Sequence, residues 1–213
     1  MKKWLLVLAA CVLTAASCMR ESTFIVNNYV DFAVSSGGKL FTDTGYQLTV
    51  SNNASGSSAY QEDNKRFYLI CDILNRDLDI LLKTLEPVTI KDALPYDPDI
   101  EEPDDPVSVS HSFGGGYMNL LVDYSYRPGS QYEHKINLFQ ETRNGELCLY
   151  LLHDGNHENS AHMSESELKR ETLFFSFPMQ EIFSSRDYAA VSLTLYELKD
   201  KSVSRKTYYL QGY

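Results

Sequence analysis

The 213-residue chain has little positive charge, four cysteines, one tryptophan and no long apolar run beyond its first residues. Lys and Arg number 19 against 29 Asp and Glu. Without residues 1–17 the balance is 17 basic against 29 acidic, a net charge of −12. Such a surface repels nucleic-acid phosphates and anionic lipid headgroups alike, so no nucleic-acid partner is expected. A membrane-spanning helix needs roughly 20 apolar residues, and no later segment comes near that length. Also missing are a G-x-S-x-G nucleophile elbow, a glycine-rich loop after a strand, a heptad pattern and an internal repeat. Their absence removes the usual sequence support for a hydrolase, a nucleotide-dependent enzyme or a coiled coil. No cofactor is expected.

What the start does contain is MKKWLLVLAACVLTAASC. Lys2 and Lys3 precede an apolar core from Trp4 to Ala16, and Arg20-Glu21 ends the pattern, as in a secretion signal. Small residues precede both Cys11 and Cys18. Cleavage before Cys11 would leave an apolar core of only Trp4 to Ala10, at the short limit for such a signal. Cys18, after Ala15-Ala16-Ser17, is therefore the expected first residue of the mature chain. The stretch resembles a bacterial lipobox, which makes Cys18 the expected lipid attachment site. Residues 1–17 are read as the signal peptide and 18–24 as a tether. Each buried methylene of an attached acyl chain would add about 0.8 kcal/mol of membrane anchoring.

The remaining cysteines, Cys71 and Cys148, lie within apolar runs, FYLICDIL and ELCLYLL. An oxidising compartment would permit a disulfide, but each is read as a buried free thiol acting as a small hydrophobe. Between them lies PYDPDIEEPDDP, residues 95–106, with four of the seven prolines and six carboxylates. Proline removes backbone donors and clustered like charge resists compaction, so this stretch is read as an acidic linker.

Both flanks read as β structure. Residues 25–94 hold YVDFAV, KLFTDTG, YQLTV, FYLICDIL and DILLKTLEPVTI, short runs rich in β-branched and aromatic residues with Gly, Asn and Asp between them. Asp43-Thr44-Gly45 is a predicted hairpin turn. Some five strands in this length fit a small barrel. Residues 107–213 hold YMNLLVDYSY, HKINLF after a Pro128-Gly129 turn, ELCLYLLH, TLFFSF, AAVSLTLYEL and KTYYLQGY, which suggests a sandwich. A short helix is predicted after Pro178, and a second one capped by Ser164 and Glu167. The fold class is all-β.

Chemistry-bearing residues are sparse. Ser110-His111-Ser112 alternates along a strand, so its histidine and serines point to opposite faces. The densest polar cluster is HDGNHENSAH, with His153, Asp154, Asn156, His157, Glu158 and His162. Imidazole and carboxylate suit zinc, and the carboxylate and amide oxygens suit calcium. Without the glycine and distal Glu of a calcium loop, the plainer expectation is a surface connection and no metal. Fifteen tyrosines and ten phenylalanines are many. Tyr117, Tyr124, Tyr126 and Tyr208, with Tyr132, Tyr209 and Tyr213, could form a recognition face, although strands also use tyrosine to cover half-buried surface.

GGKLFTDTGYQLTV, KRFYLICDILNRDLDILLKTLEPVTIKDAL, the acidic linker, Gly116-Tyr117-Met118-Asn119-Leu120 and Phe174 to Phe177 resemble the NigD-like lipoproteins of Bacteroides and relatives. Asn64-Lys65-Arg66-Phe67 departs from the Gly-Asp-Arg-Val type of start that this family places before its central strand. The resemblance implies an OB-type barrel over residues 25–94 and a β-sandwich over 107–213, with no catalytic residue. The expectation is a monomeric, non-enzymatic protein, lipid-anchored at the outer membrane, that binds an envelope protein, a toxin or a glycan. Its membrane contact would be through lipid alone. The alternatives are a glycan-binding accessory lipoprotein, or a metal-dependent binder or hydrolase using the His153–His162 loop.

Overall fold

The computed structural model describes residues 25–99, 102–158, 163–185 and 188–211. Cys18, His162 and Tyr213 lie outside the described residues. No described helix is long and apolar enough to cross a membrane. The fold is all-β, as expected.

Strands β1 (Val26–Ser36), β2 (Lys39–Thr42), β3 (Gln47–Asn53), β4 (Arg66–Ile73) and β5 (Asp79–Pro87) close into a barrel in the order β1-β2-β3-β5-β4. Alternation explains the closure. In β4, Phe67, Leu69, Cys71 and Ile73 all point inward, to meet Leu40, Leu48, Ile80 and Leu82. The predicted turn is present: the Gly45 N–H donates to the Thr42 carbonyl at 3.0 Å, with Gly45 at φ +93°. Cys71 is buried and unpaired, and burial pushes its thiol up to about 12. Cys148 is a free, half-buried thiol in the other half of the chain.

Two sheets form the sandwich. Their short strands are β6 (Thr89–Ile90) and β7 (Leu94–Pro95), and their long strands are β8 (Ser108–Gly114), β9 (Tyr117–Tyr126), β10 (Lys135–Arg143), β11 (Glu146–Asp154), β12 (Lys169–Pro178), β13 (Ala190–Lys199) and β14 (Ser202–Tyr209). One sheet runs β14-β13-β11-β10-β7 and the other β6-β12-β9-β8. Met118, Leu120 and Val122 of β9 face Leu147, Leu149 and Leu151 of β11 across the core, with Phe175 and Phe177 of β12. The Pro128-Gly129 turn closes through Ser130 N–H to the Arg127 carbonyl. A short helix, α1 (Gln180–Ser185), follows Pro178, and Ser164 donates to Glu167 beside a 3₁₀ turn at Glu165–Glu167.

The expected linker needs correcting on two counts. The two-residue strands β6 (Thr89–Ile90) and β7 (Leu94–Pro95) already pair in parallel with β12 and β10, so the chain joins the sandwich before residue 95. The described residues of the acidic stretch, 96–99 and 102–106, then lie along the sandwich as a strap. Tyr96 stacks on Tyr150, with ring centroids 4.1 Å apart. Glu102 accepts hydrogen bonds from Tyr96, Tyr196 at 2.8 Å and Arg205 at 3.0 Å. Asp105, only 4% exposed, accepts two backbone N–H groups, from Gly155 at 2.8 Å and His157 at 2.9 Å. Clustered charge favours solvent only where it lacks donors. Here the donors are present.

Barrel and sandwich meet around one buried guanidinium. Arg66, at the start of β4, donates to Asp43 at 2.6 Å, to Asn119 at 2.9 Å and to Ser176 at 2.7 Å. Asn119 in turn donates to Asp43 at 2.7 Å, and Ser176 donates to Asn119 at 2.6 Å. The guanidinium lies 4.1 Å from the centre of the Tyr117 ring. Alongside, Tyr68 of the barrel stacks on Phe174 of the sandwich at 4.6 Å. Asp43 sits at the tip of the β2–β3 turn and presses against the β8–β9 turn. A Cβ at Gly114 would be 2.7 Å from the Asp43 Cβ, and one at Gly115 would strike its carboxylate, so both must be glycine.

Candidate functional site

The sequence cluster at residues 153–162 divides once folded. His153 continues the inward-facing series Leu147, Leu149, Leu151 of β11 and is 1% exposed. Asp154 and Asn156 are exposed. His157 is exposed too and pairs with Asp104 at 3.1 Å. Glu158 turns back inward and is 7% exposed. The tight turn behind this division needs left-handed backbone at Asn156 (φ +55°) and His157 (φ +61°). Asp105 holds that turn by its N–H groups.

His134, just before β10, links the two buried members. Its Nδ1 is 2.9 Å from His153 Nε2, and its Nε2 is 3.2 Å from a Glu158 carboxylate oxygen. Tyr124 of β9 completes the packing, with its ring centre 4.9 Å from that of His134 and 5.1 Å from that of His153. Gly155 leaves room for the pair, since a Cβ there would lie 2.6 Å from His134 Nδ1. The two imidazole nitrogens are in direct hydrogen-bond contact with each other. No group of three potential metal ligands is gathered among the described residues.

The electrostatics are those of a closed polar cluster. Burial lowers the basicity of His153, and the neighbouring His134 lowers it further, while Asp105, the Pro106 carbonyl and Asp154 oppose this. His153 Nδ1 lies near the Pro106 carbonyl without completing a well-aligned hydrogen bond. It is the one buried side-chain polar atom left unpartnered among the described residues. Burial would raise the Glu158 carboxyl, but hydrogen bonds from Ser130, the Arg127 N–H and His134 outweigh it and hold it below the usual range.

The sign of the pH dependence follows. A histidine less basic when folded takes up a proton on unfolding, so stability is full above about 6.5 and is lost as pH falls below it. The depressed Glu158 carboxyl adds loss in the same direction, below about 4.5. In urea unfolding at pH 7.5 and pH 5.0, the wild type is expected to lose stability at the lower pH. His153→Gln should narrow the difference. An equal difference in both proteins would separate this histidine from the effect.

The tyrosines do not share a face. Tyr117 lies under Arg66 at the junction. Tyr124 is buried beside the histidines and donates to Glu171 at 2.7 Å, and burial pushes its phenol well above the usual range. Tyr126 is half-buried against Tyr124 and His134. Tyr208 is exposed on the last strand and donates to Glu197. Two open depressions adjoin these elements. One, of about 710 Å³, is lined by Arg127 to Tyr132, Asn156, His157, Glu158 and Met163. The other, of about 620 Å³, lies between Pro106–Ser108, Asp123–Ser125, the β12 start and Glu197-Leu198. His134, Asp105 and Arg66 escaped the sequence reading because each acts with partners far along the chain.

No protein-family model matches the sequence, and no curated protein matches it. Solved structures do. A protein of unknown function of the DUF1344 group from Bacteroides vulgatus aligns with 89% of this chain and 91% of its own, at TM-score 0.64 and 15% identity. A NigD-like immunity protein from Bacteroides caccae aligns over 89% and 98%, at TM-score 0.58 and 18% identity. A candidate lipoprotein from Bacteroides fragilis aligns over 86% and 97%, at TM-score 0.58 and 14% identity. The resemblance to the NigD-like lipoproteins is therefore there in the fold, across barrel and sandwich together.

Proposed function

We propose that this protein is a lipid-anchored component of the bacterial cell envelope that binds another macromolecule with its outer surface and catalyses no reaction. The signal-like start supports the anchor, with Cys18 as the acylated residue. The shared fold with a NigD-like immunity protein and a candidate lipoprotein supports the envelope setting. One observation carries the binding role. The buried polar groups are occupied with one another, as in His134–His153–Glu158 and Asp43–Arg66–Asn119, with His153 Nδ1 the one exception among the described residues. Large side chains such as Phe41, Tyr46, Tyr132 and Tyr209 stand exposed. That division favours recognition across a surface over chemistry in a cleft. In an immunity role the partner would be a protein toxin met at the membrane.

The test is photo-crosslinking of the intact lipoprotein in its native envelope, with a Cys18→Ala form beside it. The expected result is one dominant protein adduct, with fatty-acid labelling lost in Cys18→Ala. Absence of any saturable adduct, or labelling that survives the substitution, would overturn the reading. Tyr132, 60% exposed beside the 710 Å³ depression, favours a glycan as the second candidate ligand. Glycan-array binding abolished by Tyr132→Ala would establish it.

A further inference from the structure

The edges of the sandwich differ in kind. Strands β6 and β7 are two residues each, and Pro95 interrupts the second. Short strands and proline are ordinary means of blunting an edge. Strand β8 is longer and carries no Lys, Arg, Asp or Glu. Strand β14 runs eight residues without proline or register shift against β13, and Arg205 to Tyr209 are all exposed. Tyr209 is 70% exposed and Tyr208 45%.

The register fixes which backbone groups face outward. The β13–β14 turn has two residues, Asp200 and Lys201, both at positive φ, so Lys199 and Ser202 form its closing hydrogen-bonded pair. At the far end, the Leu210 N–H donates to the Val191 carbonyl at 2.8 Å. Counting in twos between these points, Val203, Arg205, Thr207 and Tyr209 turn their N–H and C=O groups away from β13. No described strand pairs with that side.

Charge then selects what can pair there. Lys199, Lys201 and Lys206 stand on this hairpin with Asp200 and Glu197, while Arg205 is paired with Glu102, in a chain that is otherwise strongly acidic. A second copy paired in an antiparallel register centred on residues 205 and 206 would set Arg205 and Lys206 against the same residues of its neighbour, and like charges directly opposite are destabilising. Lysine on the edge thus turns away self-association, while the same charge attracts an acidic chain.

We infer that the outer edge of β14 is a docking site for an extended, acidic peptide segment, which adds to the five-stranded sheet as a further strand. The N–H and C=O groups of Val203, Arg205, Thr207 and Tyr209 supply the ladder. Lys206 selects acidic side chains on its face of the sheet, with Lys201 at the turn, and Tyr209 on the opposite face covers the apolar positions that alternate with them. This rests on the proposed surface-binding role and names the chemistry of its partner.

The probe is a panel of decapeptides alternating Glu or Asp with Val, Ile or Tyr, set against the same panel with Lys at the acidic positions. Binding to the full mature chain is read by fluorescence anisotropy and amide exchange. Acidic peptides should bind and protect the outward amides of residues 203, 205, 207 and 209. Thr207→Pro removes an outward N–H that the β13 ladder does not use, at an edge position of the kind where proline is tolerated. It should weaken binding at least tenfold, as should Lys201→Glu with Lys206→Glu. Thr207→Val, which equally loses the Thr207 hydroxyl contact to Thr194, should bind as wild type, and Lys201→Glu with Lys206→Glu, which leaves the backbone unchanged, separates a folding defect from loss of the edge. Equal binding of lysine peptides, unchanged affinity of Thr207→Pro, dimerisation through β14, or binding of phosphatidylglycerol vesicles in place of peptide would each overturn the inference. If the envelope adduct forms with wild type and Thr207→Pro alike, the edge is wrong and the surface-binding role stands. If neither forms it, that role falls as well.

Discussion

Replacing Arg66 with alanine is expected to destabilise the protein by about 3–5 kcal/mol, the usual consequence of leaving one member of a buried ion pair alone. The Arg66 side chain is 2% exposed and that of Asp43 7%. Without the guanidinium, the Asp43 carboxylate keeps a single donor, Asn119, and the Tyr117 ring loses the cation above it. Arg66→Lys should recover only part of the loss, because one ammonium cannot reach Asp43, Asn119 and Ser176 in the planar fork that Arg66 uses. Asp43→Ala with Arg66→Ala should cost less than the two single changes together, since each removes the other's reason to be buried. Urea unfolding of the four proteins measures this directly. Additive losses would mean that the two side chains act separately.

Asp105→Ala should follow at about 3 kcal/mol, on the scale of two hydrogen bonds to a charged acceptor at 1.5–3 kcal/mol each, less what water restores. The Gly155 and His157 N–H groups would lose their acceptor at a turn whose left-handed residues already resist folding. That turn orients Glu158 toward His134, so the histidine pair should loosen with it. Asp105→Asn keeps one acceptor oxygen and should fall between the two. The checks are the unfolding midpoint and amide exchange at residues 155–158. Exchange rates unchanged in Asp105→Ala would show that the strap does not support the turn.

Most of the β architecture was legible because period-two alternation is a local signal. The β4 residues Phe67, Leu69, Cys71 and Ile73, the β9 series Met118, Leu120 and Val122, and the Asp43-Thr44-Gly45 turn all carry it in a few residues. The acidic segment misled for the opposite reason. Four prolines and six carboxylates describe a solvated linker unless donors are waiting elsewhere. Two of the three for Glu102 are on Tyr196 and Arg205, 94 and 103 residues away, and those for Asp105 are 50 and 52 away. His134 stood alone in its loop, with nothing local to mark it as the partner of His153. Tyr117 looked like a residue for an outer face, yet it lies beneath a guanidinium.

Several segments that carried the family resemblance come together at the junction. Asp43 lies in GGKLFTDTG, Arg66 opens KRFYLICDIL, Asn119 lies in GYMNL, and Ser176 between Phe174 and Phe177. Separated by up to 133 positions in sequence, they form one connected set of hydrogen bonds. A barrel and sandwich held in this way form one preorganised surface, and preorganisation lowers the ordering cost of binding in general. The outward edge of β14 and the exposed aromatic residues then keep fixed positions relative to the barrel.

The most direct test of that account is measurement of residual dipolar couplings for backbone amides in the mature protein, with barrel residues 26–87 and sandwich residues 107–209 fitted separately. A single alignment tensor, the same in size and orientation for both sets, is the predicted result, with the two sets diverging in Arg66→Ala. Different tensors in the wild type would contradict it.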